Sequence, residues 1–222
     1  MMGTRGLSQA RLVEIAHGYV SANGLDALTM RRLAVAAQVT PGALYKHLRD
    51  KKDLQRAMAD AICATIELQD IDTDSPTVEQ VIACCVRLRA AMLRFRDGGR
   101  IIAGSYSPFA ATAKIGGTLR ALLQAVIMPG FDAGDVAYAL RNYTTGFVIE
   151  EQAYLALVDT GEWAPLVEAL ADTVEDQPIG TSDSVDILTD DRDKRYLTGL
   201  SVILTGIVAT PVDPASLDLT GL

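Results

Sequence analysis

The sequence predicts an all-α chain built as a small basic head on a larger acidic body. Two observations carry the fold class. Apolar residues recur at three- and four-residue intervals along almost the whole length. Caps, prolines and glycines fall at the ends of those periodic runs, where helices start and stop. A third observation divides the chain. The 222 residues carry a net charge of -8, a figure that at first argues against a nucleic-acid partner. Residues 1–56 nevertheless hold nine basic and four acidic residues, a balance of +5, so the remainder carries −13. With 49% hydrophobic and 22% charged residues, the chain is neither disordered nor low-complexity.

Helical elements follow in order. Ser8 is an N-cap, and Leu12, Ile15, Ala16, Tyr19 and Val20 follow at helical spacing until Asn23-Gly24 stops the run. Thr29 opens a second helix with Leu33 and Ala34 as its apolar positions, ending before Gln38-Val39. Thr40-Pro41 is a cap followed by proline at the first helical position, and the helix it opens, Gly42 to His47, is very short. Asp50 caps a longer fourth helix over 51–68, with Asp53 three residues on in a capping-box-like arrangement. In the body, residues 77–95, 118–128, 133–157 and 193–209 carry apolar periodicity over several turns.

Two short helices joined by a tight turn, the second basic and polar, form a helix-turn-helix. Thr40, Pro41, Gly42 and Ala43 are small or rigid, so backbone can approach bases and apolar atoms can touch thymine methyls. Arg31 can make a bidentate contact to guanine, while Lys46 and His47 can reach bases or phosphates. Tyr45 can donate its hydroxyl to a phosphate, and Thr29 and Lys51 sit at helix N-termini suited to phosphate. A short basic helix is as readily a solvated face as a groove reader, so periodicity alone leaves both open.

Residues 8–62 resemble the DNA-binding domain of the TetR family of transcriptional regulators. The resemblance rests on Ala16, Gly24, Leu28-Thr29, Arg31, Leu33-Ala34, Ala37, Val39, Leu44-Tyr45, His47, Lys51 and Leu54. It implies DNA contact by Thr29, Arg31, Pro41–Ala43, Tyr45, Lys46, His47 and Lys51. Lys46 replaces an aromatic of the family's tetracycline-responsive members, so their operator is not carried over. Further along, Arg96-Asp97-Gly98 with Gly104, the run Gly130–Leu140, and Gly146 through Gln152 are similar to the tetracycline-repressor type of regulatory domain. That type holds a drug–magnesium chelate through histidines. Here Ile102, Glu67 and Asn142 stand at those places, and an isoleucine cannot coordinate a metal. No metal or other cofactor is expected.

The body supplies assembly and a pocket. Over Tyr196–Ala209, Leu200, Ile203, Leu204 and Ile207 form one face; Gly199, Val202, Gly206 and Ala209 form another. A helix apolar on two sides needs cover on both, and Val136–Leu157 has the same character. Together they predict a four-helix interface in a two-fold homodimer, with Gly199 and Gly206 letting the second copy approach. The resemblance makes three groups of positions inward-facing. Cys84, Leu88 and Met92 form the first, Ile102, Ser105 and Tyr106 the second, and Leu119, Leu122, Asn142 and Phe147 the third. Glu150 is expected to reach the pocket of the partner subunit. Such a lining suits a medium-sized, largely hydrophobic or aromatic effector, although Leu, Met and Ile at helical spacing are equally core.

From Asn142 through Asp191 there are twelve acids and no Lys or Arg, so this part is expected to face away from DNA. Residues 175–191, with six acids, Pro and Gly, are expected to be a mobile connection. Cys63 and the adjacent Cys84 and Cys85 have no C-x-x-C spacing and are expected as buried thiols. The N-terminal stretch lacks the apolar h-region of a signal peptide and no apolar run reaches roughly 18 residues, so a cytoplasmic protein without membrane contact is expected. The boundaries predicted are residues 1–54 for the helix-turn-helix domain and 55–222 for the regulatory domain. The expected function is a repressor released from a palindromic double-stranded DNA operator by a small-molecule effector. A sequestering protein with a non-functional head is the alternative. No enzyme is expected, since G-x-S-x-G, phosphate loops and metal-ligand clusters are missing from the sequence.

Overall fold

A computed structural model of the chain describes residues 7–175 and 191–208, and all regular structure among them is helical. The head contains α1 (Gln9–Asn23), α2 (Met30–Ala36) and α3 (Pro41–Leu44), followed by α4 (Lys51–Cys63). The body adds α5 (Val78–Leu93), α6 (Gly98–Ile102), α7 (Ala110–Val126), α8 (Ala133–Asp159), α9 (Trp163–Glu175) and α10 (Arg192–Val208). The expected mobile connection over 175–191 falls almost wholly outside the described residues.

Caps set the head. Ser8 Oγ accepts from Arg11 N–H, Thr29 Oγ1 from Arg32 N–H and Asp50 Oδ1 from Asp53 N–H, at 3.2, 3.2 and 2.7 Å. Gly24, at φ 78°, ends α1 with its N–H on the Val20 carbonyl. The recognition element is shorter than expected: α3 is the single turn 41–44, not 42–47. Isolated, one turn is unstable; it is held because Leu44 and Leu48 are fully buried beside Leu12, Leu28 and Leu33. Helix α4 stops at Cys63 rather than 68, because the Thr65 hydroxyl and N–H both bind the Ile62 carbonyl and tighten the turn.

In the body, α8 packs on α5, α6 and α7, and α10 lies on α8. Helix α7 begins at residue 110, eight residues before the expected start. Phe109 supplies no side-chain cap, and Gly116-Gly117 sits mid-helix with open space around it. Helix α6 was not foreseen. It fits because a Cβ on Gly98 would run into the Met92 carbonyl, so only glycine lets this turn close against the end of α5.

Gly199 corrects an expectation. It faces Tyr143 of α8 within the same chain, and a Cβ there would strike the Tyr143 hydroxyl, which donates to the Tyr196 carbonyl at 2.9 Å. Three residues separate Gly199 from buried Tyr196, so helical spacing puts it on the covered side. Leu197, Val202 and Gly206 remain on the open side.

An ion cluster centred on a buried arginine joins three body helices. Arg89 of α5 makes a bidentate pair with Glu151 of α8, at 2.8 and 2.6 Å, and reaches Asp193 of α10 at 2.7 Å. The Tyr196 and Phe147 rings lie within cation–π range at 5.0 and 5.7 Å. Burial by itself would depress the guanidinium pKa, but the bonds to Glu151 and Asp193 outweigh it. Cys63, Cys84 and Cys85 are all buried and free, and burial pushes the Cys85 thiol up to about 12.

Candidate nucleic-acid interface and effector site

The helix-turn-helix leaves most of the residues expected at DNA accessible. Arg31 stands exposed on α2, while Pro41, Gly42, Tyr45 and Lys46 are exposed and Ala43, His47 and Lys51 half-buried. Thr29 Oγ1 accepts the cap bond from Arg32 N–H, which leaves its hydroxyl proton to donate outward. Thr40 holds cap geometry at φ −73°, ψ 150° but makes no side-chain cap bond, so its hydroxyl is free for a ligand. A Cβ at Gly42 would meet nothing within 4 Å, so the first turn of α3 is open to close approach. Among the described residues, the side chains of Arg31, Lys46 and His47 make no hydrogen bond or ion pair. By contrast, Arg49 is paired with Asp53, whose carboxyl pKa is held down by the Arg49 N–H and guanidinium.

Head and body meet at a polar joint that the sequence did not reveal. Asp97 adopts a left-handed conformation at φ 58° and leaves its own helix α6 without a side-chain cap. Its carboxylate instead accepts from Leu25 N–H, at the corner between α1 and α2, at 2.8 Å. Arg100 bridges Asp26 at 2.7 Å and Asp97 at 3.1 Å, and Arg96 donates to the Ser21 carbonyl at 3.1 Å. The Asp26 carboxyl pKa is lowered by its hydrogen bond and charge contact with Arg100. On the other side of the joint, Arg56 of α4 donates to the Ser105 carbonyl, and Asp60 accepts both the N–H and hydroxyl of Thr112. An open groove of about 940 Å³ runs between this corner and the later turns of α8.

The effector positions fall into two sets. Cys84, Leu88, Met92, Ile102, Leu119 and Leu122 are buried together in the body core. Ser105 is buried beside them, with a hydroxyl that has no hydrogen-bond partner, and half-buried Phe147 packs on the Tyr196 ring. Tyr106 and Asn142 lie apart, lining a cleft of about 200 Å³ with Tyr138, Arg141 and Thr145. Tyr106 is 71% exposed, and Glu150 is also exposed on α8. No helix among the described residues is long and apolar enough to cross a membrane.

Comparison with known proteins agrees with this geometry along the chain. Residues 3–58 match the model of bacterial regulatory proteins of the tetR family, and residues 74–210 match the tetracyclin repressor-like C-terminal domain. The class A tetracycline repressor protein from transposon 1721 of Escherichia coli is 34% identical over 191 residues, covering 83% of this chain and 82% of that protein. ActR of Streptomyces coelicolor, solved in complex with actinorhodin, is 25% identical at a TM-score of 0.74, covering 92% of this chain and 96% of that one. BioQ, solved with its double-stranded DNA operator, is 25% identical at a TM-score of 0.66, covering 92% of this chain and 100% of that one. With both of its halves matched, the chain belongs to the TetR family of bacterial regulatory proteins.

Proposed function

We propose that this chain is a cytoplasmic, non-catalytic repressor that binds a palindromic operator as a homodimer and leaves it when a small effector binds the body. The observation that carries the reading is the helix-turn-helix surface on which Arg31, Lys46, His47 and the Thr40 hydroxyl have no partner inside the chain. Unpaired cations cost little in water and become favourable when they displace counterions from phosphate. Arg31, Pro41–Ala43 and His47 read bases, and Thr29, Tyr45 and Lys51 hold phosphates. Residues 1–54 serve DNA and residues 55–222 serve effector binding and dimerisation.

Dimerisation is supported by the open faces of α8 and α10, where Tyr138, Leu197 and Val202 are 52%, 45% and 68% exposed. Two such faces make a four-helix interface. Effector recognition draws on Leu88, Met92, Leu119 and Leu122, with the unpartnered Ser105 hydroxyl as a polar anchor. The chemistry favours a largely apolar or aromatic molecule over a metal chelate, because Ile102 offers no ligand atom. A shift of α6 would reach the head through Asp97 and Arg100, and a shift of α4 through Arg56 and Asp60. The effector thereby selects a dimer whose heads are spaced wrongly for adjacent major grooves.

Random-site selection with the full chain, followed by release of the complex with a panel of aromatic compounds, tests both halves. A recovered palindrome and release by one compound class are expected. Tight compound binding without any selected sequence would overturn the repressor in favour of a sequestering protein.

A further inference from the structure

The turn between α2 and α3 contains a residue that its backbone does not call for. Helix α2 ends in a Schellman arrangement: Gln38 N–H donates to the Val35 carbonyl and Val39 N–H to the Ala34 carbonyl, both at 3.0 Å. Between them, Gln38 is held left-handed at φ 56°. This position favours glycine, and after it asparagine or aspartate, whose short side chains bond locally. Glutamine shares neither advantage. Its side chain is exposed, and among the described residues its carboxamide has no partner to offset the strained backbone. Residues held in such conformations concentrate at working sites, and the inference runs from the outlier to the function.

The surroundings say what work is available. Gln38 precedes Thr40, with its uncommitted hydroxyl, by two residues and follows exposed Arg31 by seven. Cations for phosphate are already present in Lys46 and Lys51. A neutral amide adds little against phosphate charge, but its adjacent donor and acceptor match N6 and N7 of adenine in the major groove. We propose that Gln38 is a specificity-determining contact that reads one adenine in each half-site, an inference that rests on the DNA-binding function proposed above.

Gln38→Gly tests this directly, since glycine removes the side chain and fits the backbone. Random-site selection is run with full-length wild type and with Gln38→Gly. The variant should lose the adenine preference at one position of each half-site. It should also bind the wild-type consensus about tenfold more weakly, while its Tm rises by about 2–4 °C. Gln38→Glu, equal in length but unable to donate, should move the preference at that position from adenine toward cytosine. An unchanged consensus and affinity in Gln38→Gly, or a weakening equal across all sequences, overturns the contact while leaving DNA binding intact. A wild type that selects no sequence overturns the DNA-binding function itself, and the contact with it.

Discussion

The cations from α5 through α6 are spent inside the chain, whereas several of those in the head are not. Arg87 pairs with Asp70, Arg89 with Glu151 and Asp193, and Arg100 with Asp26 and Asp97, while Arg94 and Arg96 donate to backbone carbonyls. The head sorts its own cations in the same way. Arg11, Arg32 and Arg49 serve Glu14, a carbonyl and Asp53, and Arg31 and Lys46 are left without partners. One residue chemistry thus does two jobs. Arg89, the buried member of the paired set, must be paired to exist, whereas an exposed unpaired cation costs little and can meet phosphate. The net charge of -8 conceals this division.

The largest effect should come from breaking the buried side of the comparison. Glu151→Ala leaves Arg89, 9% exposed, with Asp193 as its one carboxylate partner in the cluster. Removing one member of a buried pair costs about 3–5 kcal/mol, which a urea midpoint would register. Asp193→Ala should cost under about 1 kcal/mol, because its side chain is 77% exposed and solvent already screens it. Equal losses for the two variants would show that burial does not decide what the cluster contributes.

The exposed side should respond in the opposite manner. Lys51→Ala should weaken binding to all DNA sequences and reduce the salt slope of log Kd by about one unit, with Tm nearly unchanged. Arg87→Ala, in the body, should leave DNA affinity alone. A salt titration in which Lys51→Ala keeps the wild-type slope would remove Lys51 from the phosphate contacts.

Much of the head was legible because its signals are local. Ser8, Thr29, Asp50 and Gly24 mark helix ends through bonds that reach four residues or fewer, and spacing reveals such bonds. The joint was not legible, since Asp97 meets Leu25 across 72 positions and nothing in a local window pairs them. Helix α6 was hidden for the same reason: Gly98 looks like a breaker until the Met92 carbonyl is seen against it. In the effector set, the resemblance picked positions whose aliphatic members are buried in the core, but neither it nor spacing distinguishes a core leucine from one that meets a ligand. Tyr106 falls outside that core, in the turn after α6 at φ 41°, and Asn142 is exposed on α8. At Gln38 the sequence signalled a helix end, and only the backbone shows that the residue there is the wrong one for the turn.

The smallest expected effect sharpens the comparison within the head, through a histidine packed inward rather than toward DNA. His17 of α1 places Nε2 3.2 Å from the Met58 carbonyl of α4 and its ring 4.6 Å from that of Phe95. Burial lowers its pKa, opposed by the bond to Met58. The folded value therefore lies below the unfolded one, and protons favour the unfolded chain. The resulting stability is fully present above the unfolded pKa of about 6.5 and is lost as pH falls through the folded value. Urea midpoints measured from pH 8 to 5 should fall more steeply for wild type than for His17→Gln, by a difference worth about 1 kcal/mol or less. Parallel profiles would mean that the inward-facing imidazole does not couple protonation to folding, and carboxylates alone would then account for the acid limb.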